Sequence, residues 1–292
     1  MKSASFSFDI EDWYHSELID RSHWHAHGTS VVRSGTDAIL DLLEAHGVRA
    51  TFFVLGEVAR DHPDLIERLV AGGHELACHG MDHRPLWELD RESFRRQLVE
   101  FRSLVEGAIG RFPVTGFRAP VFSLYQSTAW ALEVLAEQGY RYDSSIFPVP
   151  VPTYGVLGAP VGIYRPARED VRRHDPGGPI VEFPVAVESW GPLRLPVGGG
   201  FYLRALPYWF FRRSLDRILE QRPLALYLHP REYMPEQKRL RLAPLQALIT
   251  YTNLHTVRPK LERLFARYHW ETMQQVLEEE GHLARASAGT TR

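Results

Sequence analysis

Five short apolar runs in this 292-residue chain end in side chains able to do chemistry: Asp9, His79, Arg118, Asp143 and His229. Amphipathic stretches separate the runs, and that alternation predicts an α/β fold with a mainly parallel sheet. A parallel strand covered on both faces needs a continuous apolar run, which Ala50–Leu55 supplies. Further strands are expected at Ser3–Asp9, Glu75–Cys78, Thr115–Arg118, Tyr140–Asp143, Val181–Val185 and Pro223–Leu228. Helices are expected over Thr36–Ala45, stopped by Gly47, over Pro63–Ala71, and from an Asp90 cap through Ile109. Others are expected over Thr128–Glu137 and Pro207–Glu220, and near Pro259–Tyr268 and Glu271–Glu280. The strand–helix count favours an irregular (β/α) barrel over a doubly wound sheet. We read one domain over 1–285, with excursion loops at Val149–Gly178, a C-terminal extension over 231–285 and a frayed tail at Ala286–Arg292. A parallel barrel places its active site at the C-terminal strand ends, where the five residues fall.

Composition removes several function classes. A formal net charge of −2 with interleaved signs argues against a broad nucleic-acid or anionic-membrane surface. One cysteine, Cys78, cannot make an internal disulfide framework and suits a reducing compartment. The opening residues lack the apolar run of a signal peptide, and no 18-residue apolar stretch occurs, so a cytoplasmic chain without a membrane span is expected.

His79-Gly80-Met81-Asp82-His83 carries two imidazoles four residues apart, which on a helical turn share one face within reach of one ion. Taken alone, such a pair is as often two surface histidines. Asp9-Ile10-Glu11-Asp12 gathers carboxylates at a strand end, where they repel unless a cation or solvent offsets the charge. Two histidines and one carboxylate form an open facial set with room for water and substrate. A second carboxylate beside it can act as general base. His229, closing Leu224–Leu228 and followed by Pro230, is placed for a general acid, although a strand-end histidine commonly just bonds a backbone carbonyl. Arg118 and Asp143 read as a buried ion pair or as groups that orient the catalytic carboxylate. Trp13, Tyr14, Trp190 and Gly198-Gly199-Gly200 read chiefly as packing and loop residues.

In order along the chain, these pieces resemble the nodulation-type polysaccharide deacetylases, carbohydrate esterase family four. Phe8-Asp9 with its following acids is similar to the first motif, Ala50–Gly56 to the second strand, and His79–His83 to the His-x-x-x-His metal motif. Arg118-Ala119-Pro120, Tyr142–Ser145 and Leu226–His229 are similar to the third, fourth and fifth. Asp9–Trp13, Pro196–Arg204 and the Asn253–Val276 tail resemble bacterial deacetylases of exopolysaccharide and exosortase-type systems, so the likeness covers nearly the whole chain.

The resemblance implies an irregular (β/α) barrel with a divalent ion, commonly zinc, acting on a carbohydrate that carries an N-acetylated amino sugar. It implies Asp9 as base, His229 as acid, His79 and His83 as metal ligands with a first-motif acid, and Arg118 and Asp143 as orienting groups. Leu226 or Leu228 would wall the acyl pocket beside Phe122. Two departures stand out. Ile10 follows Asp9, so the carboxylate ligand is Asp12, whose shorter arm suits a tight site, or Glu11, which shares the face of Asp9 if the strand continues. The third motif lacks a Tyr after Arg-x-Pro, which leaves oxyanion stabilisation to the ion and a backbone N–H near Phe122. Other readings are a same-fold hydrolase of a formamido sugar or cyclic ureide, and a non-catalytic carbohydrate-binding barrel.

Overall fold

The computed structural model describes residues 2–16, 19, 30–151, 154–191, 193–234, 236, 239 and 241–285. The expected tail at 286–292 lies outside the described residues. The central sheet consists of β1 (Ala4–Ile10), β2 (Thr51–Val54), β3 (Glu75–Cys78), β4 (Gly116–Phe117), β5 (Tyr142–Asp143), β6 (Val181–Glu182), β9 (Leu224–Leu228) and β10 (Trp270–Glu271). Every pairing within it is parallel; β2 to β6 follow β1 in order, while β9 and β10 also pair with β1. The seam between β6 and β9 is closed by irregular backbone, with Ala186 N–H donating to Ala225 O (2.9 Å) and Tyr227 N–H to Gly198 O (2.7 Å). Fold and parallel order agree with the sequence expectation of an irregular barrel. An antiparallel hairpin, β7 (Val187–Trp190) with β8 (Leu193–Pro196), was not foreseen.

The helices are α1 (Val32–His46), α2 (Gly56–Asp61), α3 (Pro63–Ala71), α4 (Arg91–Ile109), α5 (Trp130–Glu137), α6 (Gly200–Ala205), α7 (Tyr208–Gln221), α8 (Pro230–Tyr233), α9 (Pro244–Tyr251), α10 (Val257–Phe265) and α11 (Met273–Glu279). Asp90 caps α4 through the Ser93 N–H, and Gly47 ends α1 in the left-handed conformation. No described helix is long and apolar enough to cross a membrane.

Strand alternation sorts the side chains into two layers. Phe6, Phe8, Ile10, Phe52, Val54, Leu76, Cys78, Phe117, Leu224, Leu226 and Leu228 form the core under the helices. Phe53, Ala77, Tyr142, Val181 and Ala225 face the barrel interior, with Met273, Val276 and Leu277 of α11. Met273 N–H donates to Thr51 Oγ1 and Gln274 N–H to Glu75 Oε2, at the first residues of β2 and β3, so α11 stoppers the N-terminal mouth. The C-terminal mouth is left to polar side chains.

Candidate active site

On β1 the inward phase carries Ser7 and Asp9, because Phe6, Phe8 and Ile10 take the outward one. Arg118, one residue past the outward Phe117, enters the barrel and is fully buried. Its Nη1 donates to Asp9 Oδ1 (2.6 Å) and Ser7 Oγ (3.0 Å), Nε to Ser144 O (3.1 Å) and Nη2 to Ser144 Oγ (3.0 Å). The guanidinium carbon lies 4.1 Å from the Phe53 ring centroid. Asp9 is therefore fixed by a charge-assisted bond to one oxygen.

Glu11, His79 and His83 bring one ligand atom each to within 4.8 Å of one another. Glu11 Oε2 is 2.5 Å from His83 Nε2 and 3.7 Å from His79 Nε2. Burial alone would push the Glu11 carboxyl up, but His83, His229 and His79 outweigh it and hold it well below the usual range. Burial pulls the His83 imidazole down despite the opposing pull of Glu11, which favours the neutral, ligating form. His79 Nδ1–H donates to Arg118 O (2.8 Å), which leaves the Nε2 lone pair facing Glu11 and His83. Two imidazole nitrogens and one carboxylate, buried and with one tautomer already fixed, fit a divalent cation.

Three sequence expectations are corrected here. The carboxylate beside the imidazoles is Glu11, because β1 runs on through Ile10 and brings Glu11 back to the side of Asp9. Asp12 instead caps the next turn, its Oδ1 accepting from Trp13 N–H (2.8 Å) and Val31 N–H (3.2 Å). The two histidines do not share a helical turn: Gly80 (φ 80°) and His83 (φ 54°) bend the segment so that the rings converge. Asp143 follows the inward Tyr142 and so points out of the barrel, where Ser145 Oγ donates to it (2.5 Å) and Glu182 adjoins it. Burial pushes the Asp143 carboxyl up to about 6 and Glu182 well above its usual range. Among the described residues neither Arg118 nor His229 takes Asp143 as a hydrogen-bond partner.

His229 has its Nε2 3.5 Å from Glu11 Oε1, while Nδ1–H donates to Glu232 Oε2 (3.0 Å). Glu232 Oε2 also accepts the His229 N–H (3.1 Å), and Arg204 donates to Oε1 from Nε (3.1 Å) and Nη2 (3.0 Å). Burial favours neutral His229, but Glu11 and Glu232 outweigh it and raise its affinity for a proton. Glu232 is lowered to about 2, burial being overcome by Arg204 and His229.

Asp9, Glu11, His79, His83 and His229 line one pocket together with Val121, Phe122, Tyr154, Phe201, Tyr227, Ile249 and Thr250. Phe122 is thus where the sequence put it, but Leu226 and Leu228 are not. His229 and Tyr227 share one phase of β9, so both leucines face the helices and Tyr227 forms the wall. Of the four non-glycine residues with positive φ among the described residues, His83, Val121 (57°) and Phe122 (47°) line this pocket. A left-handed β-branched valine is an outlier, and such backbone strain clusters at functional sites. Phe122 N–H is engaged by Ala119 O (3.1 Å).

A profile of the polysaccharide deacetylases matches residues 23–142, and one for a domain of unknown function, DUF3473, matches residues 144–278. Residues 23–142 thus form a polysaccharide deacetylase domain. A chitooligosaccharide deacetylase of Sinorhizobium fredii is 44 % identical over 85 residues, 29 % of this chain and 40 % of that relative. The chain spans less than half the length of the curated relatives it matches. A Mycobacterium smegmatis structure assigned to the polysaccharide deacetylases superposes with a TM-score of 0.63, covering 95 % of this chain and 89 % of that one at 21 % identity. Puue allantoinase superposes at 0.59, covering 96 % and 91 % at 14 % identity. Both likenesses are of fold.

Sequence reading missed Glu232, Arg204 and Tyr227 as site residues. A Glu three residues after His229 reads as a helix-capping box, which it also is. The available signal was His229-Pro230-Arg231-Glu232 itself, since a Glu held at a strand-end imidazole can serve the imidazole as well as the helix.

Proposed function

We propose that this chain is a divalent-cation-dependent hydrolase that removes N-acetyl groups from amino sugars of a bacterial polysaccharide or its precursor, in cytoplasmic exopolysaccharide synthesis. The observation that carries the reading is the meeting of Glu11, His79 and His83 with Asp9 and His229 in one pocket. A site that only bound glycans would not need a base, a ligand set and an acid together.

Glu11, His79 and His83 would hold the ion, and zinc suits such a nitrogen–oxygen set. When bound, it supplies Lewis acidity toward a carbonyl and lowers the pKa of water. The chain's own residues do the proton work. Asp9, with Oδ1 tied to Arg118, accepts the proton of the attacking water on its other oxygen. His229, with Nδ1–H given to Glu232, delivers a proton from Nε2 to the amine nitrogen as the C–N bond breaks. Without that proton the leaving group would be an amide anion. Val121, in its strained turn at the pocket wall, offers backbone for oxyanion contact. Tyr227, Phe122 and Tyr154 supply apolar faces to the acyl group and sugar ring.

The test is acetate release from N-acetylglucosamine oligomers by cation-loaded protein, beside formate release from a formamido sugar and hydrolysis of a cyclic ureide. Acetate release lost by at least ~10²-fold in Asp9→Asn and His229→Ala supports the reading. Turnover of the ureide alone would replace it with the second substrate class.

A further inference from the structure

The carboxylate at His229 comes from outside the motifs that supply the base and the ligand set, and it is unusually well held. Glu232 and Arg204 are both buried. Besides its two bonds to Glu232, Arg204 donates to Ile249 O (2.9 Å) and Thr252 O (2.6 Å), carbonyls at the end of α9. Lys260 Nζ donates in turn to Leu203 O (2.6 Å) and Leu206 O (3.0 Å), around Arg204 on α6. Ile249 and Thr250 line the pocket. A Cβ on Gly200 would lie 2.3 Å from both Glu232 carboxylate oxygens, so the backbone closes on that carboxylate. These residues fall within the stretch matched by the domain of unknown function.

We propose that Glu232, clamped by Arg204, is the positioning residue for His229. It fixes the imidazole with Nδ1–H bonded and Nε2 turned to the reacting centre, and Arg204 joins this carboxylate to the α9 wall as one unit. The clamp, like His229 itself, comes from the second half of the chain. The proposal rests on the deacetylase reading, because it supposes that His229 protonates a leaving nitrogen.

That supposition gives a readout that a scaffold role would not move: dependence on the leaving group. An acetylated amine needs its nitrogen protonated to depart, whereas 4-nitrophenolate leaves unprotonated. In cation-loaded protein, Glu232→Ala should lower kcat on N-acetylglucosamine oligomers by about 10²-fold with KM within about twofold. On 4-nitrophenyl acetate the loss should stay below about threefold. Glu232→Gln keeps an acceptor for Nδ1–H and should recover most of the amide rate. Gly200→Ala displaces the carboxylate while leaving both charges in place and should reproduce the Ala pattern, which keeps the test open if Glu232→Ala fails to fold. Equal losses on both substrates would make the clamp a scaffold and overturn the proposal, as would no loss on either. If wild-type protein releases no acetate from any amide, the deacetylase reading fails separately. His229 is then judged by nitrogen-15 NMR of the metal-free protein. A protected Nδ1–H that disappears in the Gly200→Ala variant supports the clamp, and one that persists overturns it.

Discussion

Replacing Arg118 by Met tests whether the base is held by a buried ion pair. Methionine keeps much of the length of the side chain and removes all four hydrogen bonds described above. The consequence worked from the structure is an orphaned charge: Asp9 is 2 % exposed and would lose the guanidinium that is its ion-pair partner among the described residues. Breaking a buried pair from one side costs about 3–5 kcal/mol, because the remaining charge is desolvated without compensation. At about 2–4 °C per kcal/mol for a chain of this order of size, Tm should fall by ~6–20 °C. The assay is urea unfolding followed by circular dichroism, in chelator so that bound ion adds no stability by linkage. The double variant Asp9→Asn/Arg118→Met removes the orphan and should cost at least ~1 kcal/mol less than the sum of the singles. A loss below ~1 kcal/mol for Arg118→Met, or strict additivity in the double variant, would refute the reasoning.

Three other outcomes are expected. Glu11→Gln should weaken divalent-cation binding more than ~100-fold by calorimetry, while Asp12→Asn changes it less than about threefold, since Asp12 only caps a turn. Asp143→Asn should alter stability in a pH-dependent way. Burial raises this carboxyl from 3.8 to about 6 in the folded state, so its contribution to wild-type stability is present below pH ~4 and drains as pH rises through about 6. The Asn variant escapes that loss, so the two proteins should match near pH 4 and the variant should melt higher at pH 8; equal melting at pH 8 would contradict this. Gly198→Ala should destabilise by about 1–3 kcal/mol in thermal melts, because its Cβ would lie 2.2 Å from Val185 Cγ1 and 2.7 Å from Ala186 N at the barrel seam.

Much of the fold was legible because buried parallel strands must be continuous apolar runs, and Ala50–Leu55 and Leu224–Leu228 leave little else to be. Asp9, His79 and His229 were legible for the same reason, as chemistry-bearing residues that end such runs, and His83 from its spacing to His79. What failed was phase. The choice between Glu11 and Asp12 turns on whether β1 ends at Asp9 or Ile10, and a single residue reverses which side chain faces the ion. The leucines of β9 were set in the pocket by the family resemblance, whereas the position of His229 already fixed Tyr227 as the inward residue. Asp143 was misplaced by the same kind of error, one residue past an inward tyrosine. The Glu232–Arg204 clamp joins α6 to α8, and although His229-Pro230-Arg231-Glu232 points to Glu232, nothing in the local sequence of Arg204 distinguishes it from a surface charge. The hairpin β7–β8 escaped notice because its alternation is brief and half exposed.

The central claim is that residues far apart in sequence converge on one cation at the C-terminal mouth of the barrel. Anomalous diffraction from crystals grown with zinc tests it most directly. The account predicts a single strong peak within about 2.0–2.2 Å of Glu11 oxygen, His79 Nε2 and His83 Nε2, with Asp9 and His229 in the same pocket. A peak bound through Asp12, or none between the two imidazoles at saturating zinc, would contradict it.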